Sequence, residues 1–355
     1  MWISATGLAS PLGVSASATC SAIRAGISAA GALPHKSEAG DLITGASIAA
    51  LPLDMPRHER LVALLCRALL DCVVGAGNIE IERTALLVVL PAEPQSWCAE
   101  LAGEKVFALL QTQLGWRFDA SQSKVFSQGV VGTSAALAAA AKIFEETDMA
   151  GCVICGVDSL LSEPILREYE SQGRLKTLQQ SDGLMPGEAA GCIWLTREST
   201  TSHGAQILGQ GVAREVATVL NEEPFRGDGL VAAARAALQS AELTMSDIDF
   251  RISDATGESY GLREQALLVG RLVQEPKEHF DLWHPAEYTG CTGAAAGLVQ
   301  LALLDDAFGQ GYAPGARAML CCSEPSGERS VVLWQGTNWA ESDLGSDMAP
   351  GTVAL

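Results

Sequence analysis

The segment DGLMPGEAAG, residues 182–191, constrains the fold more than any other stretch of the chain. Its glycines Gly183, Gly187 and Gly191 suit a tight turn and a close crossing of strands, because no Cβ atom blocks the approach of neighbouring backbone. The overlapping run 189–196 is almost wholly apolar, which is typical of a strand buried on both faces. We therefore expect a tight turn that leads into a central strand of a large sheet.

Strand-like and helix-like segments alternate on both sides of this turn, which predicts an α/β fold. Before the turn, the predicted elements are strand 1–5, helix 15–25, helix 56–74, strand 83–90, helix 132–147 and strand 151–157. After strand 189–196, the predicted elements are strand 205–212, helix 229–241, strand 249–253, helix 261–273, strand 280–284, helix 292–305 and strands 317–322 and 330–334. We expect two halves, residues 1–200 and 204–335, and a flexible tail at 336–355.

The composition argues against two classes of partner. Among 355 residues, 42 acidic side chains outnumber 23 basic ones, so the net charge is −19. Nucleic acid and anionic membrane surfaces would be repelled by such a field. Hydrophobic residues make up 48% of the chain and the mean hydropathy is +0.19. We therefore expect several helices buried on all sides, or a large surface covered by a partner subunit.

The ten cysteines have no regular spacing, and the first residues lack the pattern of a secretion signal. We therefore expect reduced thiols in a cytoplasmic protein. Cys152 and Cys155 form a CxxC pair inside a predicted strand, whereas a zinc site would need a second pair and a redox site a helix start. No metal and no cofactor is predicted, and no apolar run has the character of a membrane span.

Three further stretches, read in order with residues 182–191, resemble a known family. They are ISATGLASPLG at 3–13, LTMSDID at 243–249 and the pair Thr256-Gly257. Together they resemble the β-ketoacyl synthase (ketosynthase) family over about residues 1–335. The resemblance implies a thiolase-like fold, with two pseudo-symmetric βαβαβαββ halves in a layered α-β-α-β-α architecture.

The resemblance also implies a catalytic site whose reactive groups are replaced. Family members use a nucleophilic cysteine at a helix N-terminus, two histidines that stabilise the carbanion left by decarboxylation, and a supporting lysine. These positions fall on Gly132 for the cysteine (Val131 or Thr133 with a slip of one residue), on Asp254 and Cys291 for the histidines, and near Ala286 for the lysine. The segment 325–329 stands in place of the family's late glycine-phenylalanine-glycine-glycine loop.

Other residues could take over as nucleophile. Thr133 or Ser134 would need a base within reach, and His284 is a candidate for it. The Cys291 thiol is a further candidate. However, Ser and Thr at a helix start are usually caps, and thiols in apolar surroundings are usually inert. Asp254 could act as a base in a different reaction, although a buried or capping aspartate is the more common case.

Two surfaces suggest protein partners. Arg57, Arg60 and Arg67 form one of few basic clusters in an acidic chain. The cluster resembles the family helix that receives an acidic carrier protein, and a solvated helix start explains it equally well. Residues 124–127 are expected to form an edge strand through which the chain pairs with another subunit.

The sequence favours a non-condensing ketosynthase-like subunit, similar in logic to a chain-length factor, in fatty-acid-like or polyketide-like biosynthesis. The implied partners are an active ketosynthase or a second copy of the chain, together with an acyl carrier protein. Two alternatives stay open. One is an acyltransferase or hydrolase of the same fold that uses Thr133, Ser134 or Cys291. The other is a homodimeric scaffold or binding protein without acyl chemistry.

Overall fold

The computed structural model describes residues 1–77, 79–92, 101, 103, 105–199 and 204–337. Its strands are β1 (Trp2–Ala9), β2 (Gly31–Lys36), β3 (Leu42–Gly45), β4 (Thr84–Leu90), β5 (Asp119–Ser127), β6 (Gly151–Ser159), β7 (Glu188–Thr196), β8 (Ala205–Arg214), β9 (Phe250–Ser253), β10 (Leu282–Trp283), β11 (Arg317–Ser323) and β12 (Glu328–Gly336). Its helices are α1 (Ala16–Arg24), α2 (Arg57–Ala76), α3 (Lys105–Leu114), α4 (Gly132–Glu146), α5 (Glu163–Ser171), α6 (Asp228–Ser240), α7 (Ser259–Leu272), α8 (Ala286–Thr289) and α9 (Ala296–Gln310).

The strands of the two halves follow the same plan. The N-terminal half has the order β5-β4-β6-β7-β1 across the sheet, and the C-terminal half has β10-β9-β11-β12-β8. Numbered along each half, both orders read 3-2-4-5-1, with the same parallel and antiparallel pairs. The pairing of Trp2 with Gln206 joins the halves into one ten-stranded sheet. This repetition confirms the prediction of two pseudo-symmetric halves.

Helices α4 and α9 form the central layer, between the strands of the two halves. Leu137 of α4 and Leu301 of α9 are buried in one cluster with Leu87 of β4 and Leu320 of β11. Buried residues occupy nearly every position of α9 from Gly297 to Leu304. This is expected for a helix that is surrounded by protein on all sides.

The remaining long helices cover the outer faces of the strands. Leu65 of α2 packs in a cluster with Leu86 of β4, and Leu230 of α6 packs in another with Met319 of β11. Leu86 and its neighbour Leu87 therefore face different layers, because side chains alternate along a strand. The order of layers is helix, strands of one half, helix, strands of the other half, helix, as the family resemblance implies.

The glycines of residues 182–191 have the expected role. At Gly183 and Gly187, an added Cβ atom would lie 2.6 and 2.9 Å from backbone atoms of neighbouring segments. At Gly191 it would lie 2.6 Å from Cβ of Leu298 in α9. The central helix can therefore approach β7 closely only because Gly191 carries no side chain, and Gly183 and Gly187 allow the close approach of the segments around Lys176 and Gly290.

Some elements differ from the sequence prediction. The hairpin of β2 and β3 and the helices α3, α5 and α8 were not predicted. Gly336 ends β12, so the first residue of the predicted tail belongs to the sheet, whereas residues 338–355 and the middle of the joint, 200–203, lie outside the described residues. Within the described ranges, no helix is both long enough and apolar enough to cross a membrane.

A buried ion pair between Arg60 and Glu188 connects α2 to the start of β7. Arg60 Nε and Nη2 lie 2.5 and 2.6 Å from the two carboxylate oxygens of Glu188, and both side chains are at most 4% exposed. Glu188 also accepts hydrogen bonds from Ile48 N and Ser159 Oγ. Because both ions have lost their water, removal of either one leaves the other buried without a counter-charge.

We expect Glu188→Ala to lower the free energy of unfolding by about 3–5 kcal/mol, as measured by urea denaturation. Glu146→Ala is the matched control, because it removes an exposed helical ion pair with Lys142 in which the two side chains are 62% and 68% exposed. That substitution should cost below about 0.5 kcal/mol. Similar losses in both variants would contradict a stabilising role for the buried pair.

Candidate functional site

A cavity of about 480 Å³ opens where the carboxyl ends of β4, β6, β9 and β11 meet. Its lining includes Ala92 beyond β4, Asp158 in β6, Asp254 beyond β9 and Glu324 beyond β11. The carboxyl ends of parallel strands are the usual place for a ligand site in α/β folds. Both halves contribute corresponding strands to this cavity, because they share one plan.

Two glycine-tipped elbows reach the cavity, one before α4 and one before α9. Gly129 opens a 3-10 turn, Gly129–Val131, with a φ angle of +61°, and Gly293 opens the turn Gly293–Ala295 with a φ angle of +48°. Such angles favour glycine. The elbows bring the first backbone N–H groups of two helix entries to the same cavity, and these groups carry partial positive charge.

Each elbow is capped by a carboxylate from the opposite half. Val130 N donates to Glu324 Oε2 over 2.8 Å, and Ala294 N donates to Asp158 Oδ2 over 3.1 Å. Asp158 belongs to β6 and Glu324 follows β11, and these two strands hold the same place in their halves. We call these two hydrogen bonds the crossed caps. A carboxylate at this position is stabilised by the partial charge of the helix entry.

The crossed caps leave no room for a side chain at either elbow tip. A Cβ atom added at Gly129 would lie 2.7 Å from Glu324 Cδ, and one added at Gly293 would lie 2.7 Å from Asp158 Cγ. Real Cβ atoms do not approach other atoms so closely. While the caps are in place, each tip must therefore be glycine.

The predicted cysteine position, Gly132, lies away from the cavity. It is the first residue of α4, and a Cβ atom there would point into the core, 2.6 Å from Val89 Cγ1 and 3.5 Å from Phe126 O. Val131, one residue before it, is buried in the central cluster. The 3-10 turn places Gly129, and not Gly132, at the cavity wall.

The fallback nucleophiles Thr133 and Ser134 also lie away from the cavity lining. They are 2% and 3% exposed, and neither hydroxyl has a hydrogen-bond partner among the described residues. A hydroxyl becomes nucleophilic only with a base within hydrogen-bond reach. Neither has such a base in the described chain.

Asp254 and Cys291 do line the cavity. Asp254 Oδ2 accepts a hydrogen bond from Ser323 N over 2.8 Å, and burial raises the pKa of this carboxyl to about 7. Burial raises the pKa of the Cys291 thiol to about 12, so the thiol stays protonated and weakly nucleophilic at neutral pH. Ala286, at the predicted lysine position, also lines the cavity, but it has no charge to contribute.

His284, the candidate base for Thr133 or Ser134, forms no hydrogen bond with either hydroxyl. It is absent from the described cavity lining. Its Nδ1 lies 3.3 Å from Leu282 O, and its Nε2 lies 3.5 Å from Glu287 Oε1.

Two of the three arginines predicted to dock a carrier protein are internal. Arg57 Nη2 lies 2.6 Å from Asp158 Oδ1, and Arg60 forms the buried pair with Glu188. The first turn of α2 directs these two arginines to carboxylates of β6 and β7, which the sequence pattern did not show. Only Arg67, further along the helix, is exposed to solvent.

Sequence reasoning missed Glu324 and two ion pairs that line the cavity. Arg174 pairs with Glu258 over 2.8 Å, and Arg329 pairs with Glu264 over 2.7 Å. The available signal for Glu324 is its place just before the segment 325–329, which stands in place of a family loop. Across the described ranges, no cluster of His, Cys, Asp and Glu could hold a metal ion.

The titration of Glu324 yields a prediction for stability. Burial raises the pKa of this carboxyl to about 7, so the native state holds its proton more tightly than the unfolded chain does. The contribution of this protonated carboxyl to the free energy of unfolding is therefore present at low pH and is lost as pH rises through about 7. Glu324→Gln keeps an acceptor for Val130 N without titrating. We expect the free energy of unfolding of this variant to decrease less than that of the wild type between about pH 5 and 8. At pH 8 it should exceed the wild-type value by up to about 3 kcal/mol.

Urea denaturation at several pH values measures this difference. Glu278→Gln is the control, because its side chain is 92% exposed and its removal should leave the pH profile unchanged. Parallel profiles for the wild type and Glu324→Gln would show that this carboxyl does not titrate as expected.

No family model and no curated protein matches the chain. Solved structures match it in fold. The ketosynthase ApeO in complex with its chain length factor ApeC from Xenorhabdus doucetiae gives a TM-score of 0.75 at 17% identity, over 94% of this chain and 97% of that one. The ishigamide ketosynthase/chain length factor gives 0.76 at 15% identity, over 94% and 98%.

A β-ketoacyl synthase from Burkholderia phymatum gives a TM-score of 0.74 at 16% identity, over 94% of this chain and 98% of that one. Identities this low show the fold and leave the activity open. The chain therefore has the thiolase fold of ketosynthase and chain-length-factor structures, over nearly its whole length.

Proposed function

We propose that the chain is a non-condensing ketosynthase-like subunit that pairs with an active ketosynthase and shapes the pocket in which the acyl chain grows. The setting is fatty-acid-like or polyketide-like assembly. The observation that carries this proposal is the capped elbow at Gly129. We assign the lost cysteine to this residue rather than to Gly132, because Gly129 is the elbow tip at the cavity and Glu324 occupies the space of its missing side chain.

The other groups at the cavity are unsuited to condensation. A family member needs donors that stabilise an enolate oxyanion. Asp254 opposes that charge when ionised, and the Cys291 thiol is a weak donor. No histidine is among the described residues that line the cavity. These replacements support a subunit that has kept the scaffold without the condensing chemistry.

Strand β5 is the surface that we assign to the partner subunit. It forms one edge of the ten-stranded sheet, is nine residues long and remains partly exposed along its length. It contains the predicted edge segment 124–127. The opposite edge, β10, has only two residues. A long unpaired edge can accept a further strand through main-chain hydrogen bonds. The solved complexes of ketosynthases with chain length factors support such a partner.

The alternative functions have less support. An acyltransferase or hydrolase would need an activated nucleophile, but Thr133 and Ser134 lie off the cavity and burial raises the pKa of Cys291 to about 12. A homodimeric scaffold remains the second candidate, because the β5 edge could equally accept a second copy. In this proposal the partner subunit binds the carrier protein, because Arg57 and Arg60 are internal.

We expect the isolated chain not to decarboxylate malonyl carrier protein above the rate without protein. An active ketosynthase serves as the positive control. Mixing the two proteins should change the length distribution of the acyl products, as measured by mass spectrometry. Turnover by the isolated chain that disappears in Cys291→Ser or Asp254→Asn would overturn the proposal.

The edge-strand assignment is tested by co-purification with a ketosynthase that has its cysteine and both histidines. Adjacent residues of a strand direct their N–H groups to opposite edges, so Lys124→Pro and Val125→Pro form a matched pair. One proline removes an N–H that bonds to β4, and the other removes an N–H at the open edge. We expect the variant that loses the N–H bonded to β4 to lose thermal stability. The variant that loses the N–H at the open edge should keep its melting temperature but no longer bind the partner. Retention of the partner by both variants would rule out β5 as the interface.

A further inference from the structure

The cavity carries an excess of negative groups. Six carboxylic side chains line it, against two guanidinium groups. Three of the carboxylates are neutralised by ion pairs, namely Glu258 with Arg174, Glu264 with Arg329, and Asp158 with Arg57. Of the other three, Glu168 is exposed to solvent, whereas Asp254 and Glu324 are less exposed and form no ion pair within the described chain. The uncompensated charge away from open solvent is therefore concentrated on Asp254 and Glu324.

Asp254 and Glu324 each have one oxygen that remains available. Asp254 Oδ2 accepts from Ser323 N and Glu324 Oε2 accepts from Val130 N, both over 2.8 Å. The other oxygen of Asp254 lies 3.5 Å from Ser253 Oγ, which is too far for a strong hydrogen bond. The other oxygen of Glu324 has no donor in the part of the chain that the structure describes. The two side chains can thus accept further hydrogen bonds from a ligand.

A buried amide on the same cavity provides an independent sign of a missing ligand. Gln300, on α9, lines the cavity and is 1% exposed. Its Nε2 has no hydrogen-bond partner among the described residues. A buried donor without a partner is costly and rare in native proteins. A ligand with an oxygen acceptor would satisfy it.

Apolar side chains complete the cavity. They include Leu160, Ile165, Leu184, Leu220 and Val299. An apolar surface of this kind binds a short hydrocarbon chain, but it does not distinguish ligands by the charge of their head groups. The polar residues must therefore decide which head group the cavity accepts.

We propose that the cavity binds a small amphipathic amine, with its ammonium group at Asp254 and Glu324, a neighbouring oxygen at Gln300 and its hydrocarbon part on the apolar wall. An ammonium group supplies the positive charge and the donors that the two carboxylates lack. A carboxylate ligand would be repelled by the same residues. This inference goes beyond the proposed partnership, because binding requires neither the ketosynthase nor the β5 edge.

Ionisation of the two carboxyls makes the binding depend on pH. Burial raises the pKa of both to about 7. The charged groups that act on them are Glu264, Arg329, Asp158 and Glu328, of which only Arg329 favours ionisation. An alkyl ammonium group stays charged well above pH 8, as lysine does with a pKa of about 10.4. Binding should therefore be strong at pH 8 and weaken as the carboxyls take up protons toward pH 6.

Isothermal titration of the isolated chain with three matched probes tests the proposal. The probes are leucinol, the same alcohol without its amino group, and the carboxylate with the same carbon skeleton. At pH 8 we expect leucinol to bind at least about tenfold more tightly than the alcohol, and the carboxylate to bind more weakly than both. The affinity for leucinol should fall by about tenfold or more at pH 6.

Variants locate the effect in the cavity. Asp254→Asn and Glu324→Gln keep acceptors for their backbone N–H partners, so both should fold while losing the preference for leucinol over the alcohol. Gln300→Met should weaken the binding of leucinol by a smaller factor and should still prefer leucinol to the alcohol. Glu278→Gln, which changes an exposed side chain, should bind as the wild type does.

The proposal is overturned if the carboxylate binds as well as leucinol, if the preference survives in Asp254→Asn and Glu324→Gln, or if leucinol does not bind. Comparing probes within one variant removes any effect of partial unfolding. These outcomes are separate from those of the partnership. Loss of amine binding leaves co-purification with a ketosynthase unaffected, and failure to co-purify leaves amine binding intact.

Discussion

The crossed caps are the constraint on which the arrangement of the cavity depends. Glu324 holds the helix entry at Val130, and Asp158 holds the one at Ala294. Each carboxylate comes from the half opposite to the helix that it caps. At the cavity, the two halves are therefore connected by the interaction of a carboxylate with the positively polarised N-terminal end of a helix. The same contacts require glycine at both elbow tips.

The pseudo-symmetry of the fold extends from the strand order to this chemistry. Corresponding strands end in corresponding carboxylates, and corresponding helices begin with a glycine-tipped 3-10 turn. The two sites differ in their neighbours. Asp158 has Arg57 as a counter-ion, whereas Glu324 has none in the described chain. Burial raises the pKa of both carboxyls, that of Glu324 to about 7, but of the two only Glu324 lacks a cationic partner among the described residues.

The main strands and helices could be predicted from the sequence because a continuous apolar run is typical of an element buried on all sides. The segment 84–90 and the helix α9 are buried at almost every position. The missed elements lack this signal. In the hairpin of β2 and β3, Leu33 and Ile43 are the buried hydrophobic residues, and they are stabilised by packing against Leu160 and Leu161 of a distant segment. Helix α5 has only nine residues, of which Ile165 and Leu166 are buried, so its apolar signal is short.

The sequence by itself determined the repeated α/β plan and the close packing at Gly191. Only the tertiary structure decided that Gly129 and not Gly132 faces the cavity, that Arg57 and Arg60 are internal, and that Glu324 closes the elbow. The physical reason is separation along the chain. Apolar periodicity and glycine turns act among near neighbours, whereas the bond between Val130 and Glu324 joins residues 194 positions apart. Its existence depends on how the two halves pack.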